Sequence, residues 1–208
     1  MLHLLKKFYL SRRGIMREPT ERENVQKDTV LAKCFDCLVE TGIEGASINN
    51  FSSSTGMTPS SLYYWFTDKD EIVLDATEYG MKKVIGQLFD YAEKHINDVE
   101  QMCSGFPDVV KKHSASLRVV FQIAASPKYG EKTVEISDKL LGLYDDYALK
   151  LSEQLNVPYD RIRLIVDLVV STIIDAVIWN GWGKLSREID TILNCLHLEF
   201  ENVHKKDR

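Results

Sequence analysis

The sequence predicts an all-α protein, and three observations carry this prediction. Apolar residues recur with the helical period in nearly every segment of the 208-residue chain, as they do on one face of an amphipathic helix. No segment shows the strict alternation of apolar and polar residues that marks a half-buried strand. Glycine, proline and small polar residues separate the periodic segments. We therefore expect about nine helices in total, arranged as a three-helix N-terminal head and a larger helical body.

The first strong helix is predicted from Glu23 to Thr41. Gly42 follows it directly, at the position where a glycine commonly ends a helix in the left-handed conformation. Because its apolar positions recur every three or four residues, one side of this helix should be buried. That side consists of Val30, Leu31, Cys34, Phe35, Cys37 and Leu38.

Two short helices joined by a glycine turn are predicted next. Ser47 is a good N-cap for the first of them. Gly56 lies in the turn, where positive φ has no steric cost for glycine. Thr58 caps the second helix, and Pro59 occupies its first position, where a missing N–H is tolerated. This helix is expected to end near Phe66.

A long fourth helix is predicted from Lys69 to Ile96, with Asp68 as its N-cap and Glu71 completing a variant of the capping box. Four further helices are expected in the body, over 108–125, 131–155, 159–179 and 187–203. The segments that separate them are predicted from their helix-breaking residues and are Pro107, 126–127, 156–158 and 181–186.

Two short helices joined by a tight turn and flanked by longer helices form a helix-turn-helix unit. In this sequence the unit also carries a detailed pattern of residues over about 25–75. The pattern resembles the signature of the TetR (tetracycline repressor) family of transcriptional regulators. It comprises Gly42, Ser47-Ile48, Phe51, Gly56-Met57-Thr58, the run Ser61-Leu62-Tyr63-Tyr64-Trp65-Phe66, and Asp68-Lys69-Asp70-Glu71-Ile72.

The resemblance implies a DNA-binding regulator, most often a repressor that a small-molecule effector releases from a near-palindromic DNA operator. It also implies roles for particular residues. The hydroxyls of Ser47 and Thr58 would lie beside phosphates, and Lys69 would anchor the backbone through its charge. The remaining contacts would come from the second short helix, where the resemblance points to Pro59, Ser60, Ser61, Tyr63 and Tyr64.

The charge distribution departs from that of a strongly basic DNA-binding head. The formal net charge is −5, and residues 1–70 carry nine basic and nine acidic side chains. From Ser47 to Lys69, the lysine is the only cation. Since phosphate neutralisation sets the salt dependence of DNA affinity, we expect a shallower dependence than a lysine-rich head would give.

We expect an N-terminal extension at 1–22, a DNA-binding domain at 23–70 and an effector-binding and dimerisation domain at 71–208. The extension contains six basic residues, and two interpretations stand for it. It could form a basic arm in the minor groove. The favoured interpretation is that translation starts at Met16 and that residues 1–15 are dispensable or disordered.

The body carries apolar surface beyond what one core needs. The segment 162–178 is apolar nearly all round, so a second subunit is expected to cover part of it. The homodimer interface is predicted to include Ile189, Leu193, Leu196 and Phe200. Aromatic residues that could wall an effector pocket are Phe121, Tyr144, Trp179 and Trp182, with Asp175 as a polar contact. The stripe of Asp167, Ser171, Asp175 and Trp179 is interpreted more readily as a solvent-facing or inter-subunit edge.

Other kinds of site find little support. Cys34 and Cys37 form a C-x-x-C pair without a second pair, so we interpret them as small core residues. The sequence contains no nucleophile elbow, phosphate loop or metal-ligand cluster, and we expect neither catalysis nor a metal or cofactor. No segment is long and apolar enough to span a membrane, and a cytoplasmic protein is expected. Two alternatives stay open, namely an all-helical enzyme or carrier whose head is an interaction module, and a DNA-binding dimer without a small ligand.

Overall fold

A computed structural model describes residues 21–192 and residue 194 of the chain. The described part consists of helices joined by turns and loops, without a strand, as predicted, and contains nine α-helices. In chain order they are α1 Glu21–Thr41, α2 Ile48–Thr55, α3 Pro59–Trp65, α4 Lys69–Lys94, α5 Val99–Lys112, α6 Ser114–Ala124, α7 Val134–Leu155, α8 Tyr159–Trp179 and α9 at 182–192. Short 3-10 segments cover Ile43–Gly45 and Gly130–Thr133.

The local signals at the first four helices act as predicted. Gly42 follows α1 with a positive φ of 69°, although its ψ of 178° lies outside the left-handed helical region. Ser47 caps α2 by accepting a hydrogen bond from the Asn50 amide. Asp68 caps α4 in the same way, and the Glu71 carboxylate accepts from the Thr67 amide at 2.6 Å. These side chains satisfy amides that a helix start leaves without partners.

The predicted helix at 108–125 is wrong, because two helices occupy this region. Pro107 lies inside α5 rather than before a helix. Met102, Phe106 and Val110 are four residues apart and all buried, so the packing of this face outweighs the loss that a proline causes. The break falls at His113 instead, between α5 and α6.

The predicted linker at 181–186 is also wrong. Asn180 ends α8 in the left-handed conformation, with φ at 57°, and α9 is helical from residue 182. Leu185 and Ile189, one turn apart, are fully buried, which explains why the helix begins before Arg187. Its predicted end at Val203 lies outside the described residues.

One apolar core runs through most of the described chain. It begins between α1 and α4, where Cys34, Phe35 and Leu38 meet the buried face of α4, and it continues through α5 and α6 to Ile189. A smaller cluster joins α7 to α8 around Ala148 and Ile162. The core therefore crosses residue 70 without interruption, and the division into domains at 23–70 and 71–208 stays a prediction.

Within the described residues, no helix has the length and apolar character that a membrane span requires.

Candidate functional site

The helix-turn-helix unit is built by local sequence signals. Gly56 follows α2 in the left-handed conformation, with φ at 73°, and redirects the chain toward α3. The Thr58 hydroxyl accepts a hydrogen bond from the Ser61 amide at 3.2 Å, and Pro59 opens α3. Phe51 of α2 and Leu62 of α3 are fully buried, and they fix both short helices on the core.

The outer face of α3 is open to solvent. Ser60 and Tyr64 are one turn apart, Tyr63 lies beside them, and all three are exposed. Tyr64 is 69% exposed, which is unusual for an aromatic side chain that serves only in packing. Tyr63 and Tyr64 therefore lie outside the core, whereas Leu62 is the buried residue of this helix.

Hydroxyl groups with protons available for donation lie near the exposed face of α3. The Thr58 and Ser61 hydroxyls are 2.9 Å apart, so one of the two protons serves their mutual bond and the other is free to donate. The Ser47 hydroxyl accepts from the Asn50 amide at 3.2 Å and keeps its own proton for an outside acceptor.

Lys69 brings the start of α4 to the start of α2. Its Nζ donates to the carbonyl oxygen of Ala46 at 3.0 Å, which places the ammonium next to Ser47. An ammonium has three N–H donors, so two stay available beyond this bond. Ser47 and Lys69 therefore form one polar edge, and their roles at a phosphate stay a prediction.

Comparison with known proteins gives fold-level matches. No family model and no curated protein matches the chain. Among solved structures, a transcriptional regulator from Rhodococcus sp. Rha1 has a TM-score of 0.58 and 18% identity, over 81% of this chain and 94% of its own. A protein assigned to the TetR family from Mesorhizobium loti MAFF303099 has a TM-score of 0.56 and 14% identity, over 89% and 98%. A TetR-like regulator from Rhodococcus sp. RHA1 has a TM-score of 0.51 and 17% identity, over 85% and 96%.

The chain has the fold of TetR-family regulators. The match extends over nearly the whole of each similar structure, so it includes the body as well as the head. The sequence signal had covered only about residues 25–75. These similar structures are transcriptional regulators rather than enzymes.

In this TetR-type fold, a polar cluster that the sequence analysis missed ties α4 to the body. The Asp70 carboxylate accepts hydrogen bonds from Lys128 Nζ at 2.7 Å and from the Tyr129 hydroxyl at 2.9 Å. Lys132 Nζ lies 3.9 Å from Asp70 Oδ2. The bond from Lys128 holds the pKa of the Asp70 carboxyl below its ordinary value, whereas burial raises the pKa of Tyr129. More than fifty residues separate the partners in sequence, so no local pattern could reveal them.

The body encloses a cavity of about 750 Å³. Phe121 and Tyr144, predicted for an effector pocket, line it. Asp175, Trp179 and Trp182 are not among its lining residues. Trp179 is 77% exposed on the outside of α8, and Asp175 is paired with Lys184 at 2.9 Å. A helical stripe places side chains on one face but does not say which way that face turns, and this one turns outward.

The structure describes the side chain of only one of the four residues predicted for the dimer interface. Ile189 is fully buried and lines the cavity. Its side chain is therefore not exposed to a second subunit, contrary to the prediction. Leu193, Leu196 and Phe200 lie outside the residues whose side chains the structure describes. The exposed apolar surface is instead on α8, along a stripe formed by Leu164, Leu168, Ile178 and Trp179.

The C-x-x-C pair belongs to the core. Cys34 and Cys37 lie on α1 with reduced, buried thiols, and burial raises the pKa of Cys34 to about 12. A thiol with so high a pKa is a poor nucleophile and a poor metal ligand. Within the described part of the chain, no group of metal-ligating side chains comes together.

Proposed function

We propose that this protein is a DNA-binding transcriptional regulator, and specifically a cytoplasmic, homodimeric repressor that a small molecule releases from its operator. The observation that carries the proposal is the exposed face of α3, where Ser60, Tyr63 and Tyr64 stand outward above a fully buried Leu62. A helix held in this way can enter a major groove with its outward side chains against base edges and phosphates.

Contacts to the DNA backbone would come from the polar edge and from the start of α3. Ser47 and Lys69 of the polar edge, together with Thr58, would hold phosphates on either side of the groove, which fixes the register of the protein on the duplex. Lys69 is the only basic residue in the segment from Ser47 to Lys69. Because few charges are involved, affinity should depend on hydroxyl and base contacts more than on ion release.

The homodimer is supported by the exposed stripe on α8. Leu164, Leu168, Ile178 and Trp179 expose large apolar side chains along one helix, and several exposed large apolar side chains on one face are typical of an interaction site. In a two-fold dimer the two α3 helices would reach successive major grooves, about 34–36 Å apart.

Effector control is supported by the cavity and by the Asp70 cluster. The lining residues Ala124 and Thr133 flank the segment that carries Lys128 and Tyr129. A molecule that moves this segment would also move Asp70, and with it the neighbouring Lys69. If an effector lowers the affinity for DNA by some factor, thermodynamic linkage requires that DNA lower the affinity for the effector by the same factor.

The test is a mobility shift with the DNA upstream of the chain's own gene, performed with and without a cavity ligand. We expect retardation of this DNA in preference to a scrambled duplex of equal length. We also expect release when the ligand is added. Equal retardation of the two duplexes would overturn operator recognition, and retardation that ignores the ligand would favour the DNA-binding dimer without an effector.

A further inference from the structure

The cavity in the body has an unusually uniform chemical character. Its lining within the described part of the chain contains no Asp, Glu, Lys, Arg or His, and it is dominated by aliphatic side chains and Phe. An ion transferred into such surroundings loses its hydration without gaining a partner, which is strongly unfavourable. The interior therefore disfavours both anions and cations.

The size of the cavity suits a small organic molecule. Its volume of about 750 Å³ falls within the range of pockets that hold drug-sized ligands. Several lining residues are exposed, among them Val134 and Leu141 of α7, Ile174 of α8, and also Asn97 and Gln154. The cavity thus reaches the surface, and one place where a ligand could pass lies between the first half of α7 and the last half of α8.

Few hydrogen-bond donors remain free in the interior of the cavity, because the amides of Asn97 and Gln154 belong to exposed residues of the lining. The Thr77 hydroxyl donates to the Val73 carbonyl at 2.6 Å, and the Thr133 hydroxyl donates to the Gly130 carbonyl at 2.7 Å. The Tyr144 hydroxyl has no hydrogen bond to the described residues. Burial raises the pKa of Tyr144 to about 12, so its proton stays available at neutral pH.

The charged groups near Tyr144 are already paired. Arg163 donates to Asp145 at 2.7 Å and to Asp167, which leaves this trio with a net charge of −1. An anionic ligand would therefore find no free cation here. Both carboxylates are more than half exposed, so water and salt screen them and a buried cation gains little from them.

We propose that the body cavity binds a neutral, mainly hydrocarbon molecule whose hydrogen-bond acceptor meets the Tyr144 hydroxyl. This inference rests on the proposed function for its regulatory meaning, but the binding itself is independent of DNA. The aliphatic wall selects for hydrocarbon, the lack of charged side chains in the described lining selects against ions, and Tyr144 orients the polar end.

The first test measures binding to the full chain without DNA. The neutral dye N-phenyl-1-naphthylamine is titrated into the protein, and its fluorescence reports an apolar site. It is then displaced by dodecan-1-ol, dodecanoate and dodecyltrimethylammonium, which share one chain length. We expect saturable dye binding and displacement by dodecan-1-ol at concentrations about ten-fold lower than by either ion. No saturable binding, or an ion that displaces as well as the alcohol, would overturn the proposal.

A pair of charge insertions locates the site. Leu141→Lys places a cation at the lining, whereas Leu149→Lys changes a residue of the same helix with similar exposure, 50% against 43%, that does not line the cavity. Dodecanoate should gain about ten-fold in affinity for Leu141→Lys only. This gain of binding cannot result from misfolding. Equal effects of the two variants would place the ligand elsewhere.

Tyr144→Phe tests the polar contact. The loss of one hydrogen bond should lower the affinity for dodecan-1-ol about five-fold and leave the affinity for the dye unchanged. Unchanged affinity for the alcohol would remove Tyr144 from the ligand site. Because all of these measurements omit DNA, their failure leaves operator retardation untouched, and a failure of operator retardation leaves them untouched.

Discussion

Asp70 and Lys128 form an ion pair with 2.7 Å between the carboxylate oxygen and Nζ, and this pair joins the first turn of α4 to the segment after α6. Lys69, the preceding residue, lies on the polar edge of the helix-turn-helix unit. Two consecutive residues thus face in different directions, one toward the proposed DNA surface and the other toward the body. The start of α4 therefore contacts both the helix-turn-helix unit and the segment after α6.

The first prediction concerns this connection. Asp70→Asn should destabilise the protein by about 1 kcal/mol, because it removes a partly exposed charge-assisted contact. It should also reduce the ratio of operator affinities measured without and with dodecan-1-ol. Asp75→Asn is the matched control, since Asp75 lies on the same helix and pairs with Lys27 of α1 at 2.9 Å, away from the segment that carries Lys128. The control should lose similar stability and keep the ratio, and a loss of the ratio in both variants would contradict the prediction.

The second prediction concerns pH. The Asp70 pKa is lowered in the folded protein, first by the hydrogen bond from Lys128, relative to about 3.9 in an unfolded chain. A lowered carboxyl pKa contributes stability above the unfolded value, and that stability is lost as the pH falls through the folded value. The difference in unfolding free energy between wild type and Asp70→Asn should therefore shrink from pH 7 to pH 3. Urea denaturation at both pH values measures it, and a constant difference would exclude this role for the carboxylate.

The third prediction tests the proposed DNA surface. Tyr63→Phe and Lys69→Ala should each weaken operator binding, and Lys69→Ala should also lower the slope of log affinity against log salt by about 1. Tyr79→Phe and Lys82→Ala change the same residue types on α4, farther along the helix, and should leave binding as it is. Affinity measured by fluorescence anisotropy at several salt concentrations provides the readout. An unchanged salt slope in Lys69→Ala would remove this residue from the phosphate contacts.

The fourth prediction tests the proposed dimer. Trp179→Glu places a charge on the exposed stripe of α8, where burial against a second copy would leave it without a partner. We expect the dimer to dissociate at micromolar concentration, as seen by light scattering after size exclusion. Leu149→Glu alters an exposed apolar residue of α7 and should keep the dimer. If Trp179→Glu stays dimeric, another surface must form the interface.

The sequence was informative where a structural signal is local. Caps and turns at Ser47, Gly56 and Asp68 depend on residues within one turn, and they appear in the structure as predicted. The buried side of α1 follows from spacing alone, and Cys34 and Leu38 are fully buried as expected. Such features need no knowledge of what the helix packs against.

The errors lie where distant contacts decide. Pro107 indicates a break by its own chemistry, yet the burial of Phe106 and Val110 keeps α5 continuous. Trp179 is large and apolar, which favoured a place in the pocket, but the orientation of α8 exposes it. The Asp70 cluster joins partners that only the folded chain brings together. In each case the deciding partner is remote in sequence.

The last prediction concerns the contact between α1 and α4. A Cβ built at Gly80 would lie 2.4 Å from three atoms of the Phe35 ring, which is itself buried, whereas a Cβ at Gly86 of the same helix meets nothing within 4 Å. Gly80→Ala should therefore destabilise the protein by about 1–3 kcal/mol through overpacking. Gly86→Ala should stabilise it by up to about 1 kcal/mol, because alanine favours the helix more than glycine does. Urea unfolding compares the two variants, and a gain of stability in both would mean that α1 and α4 can separate at Phe35 at little cost.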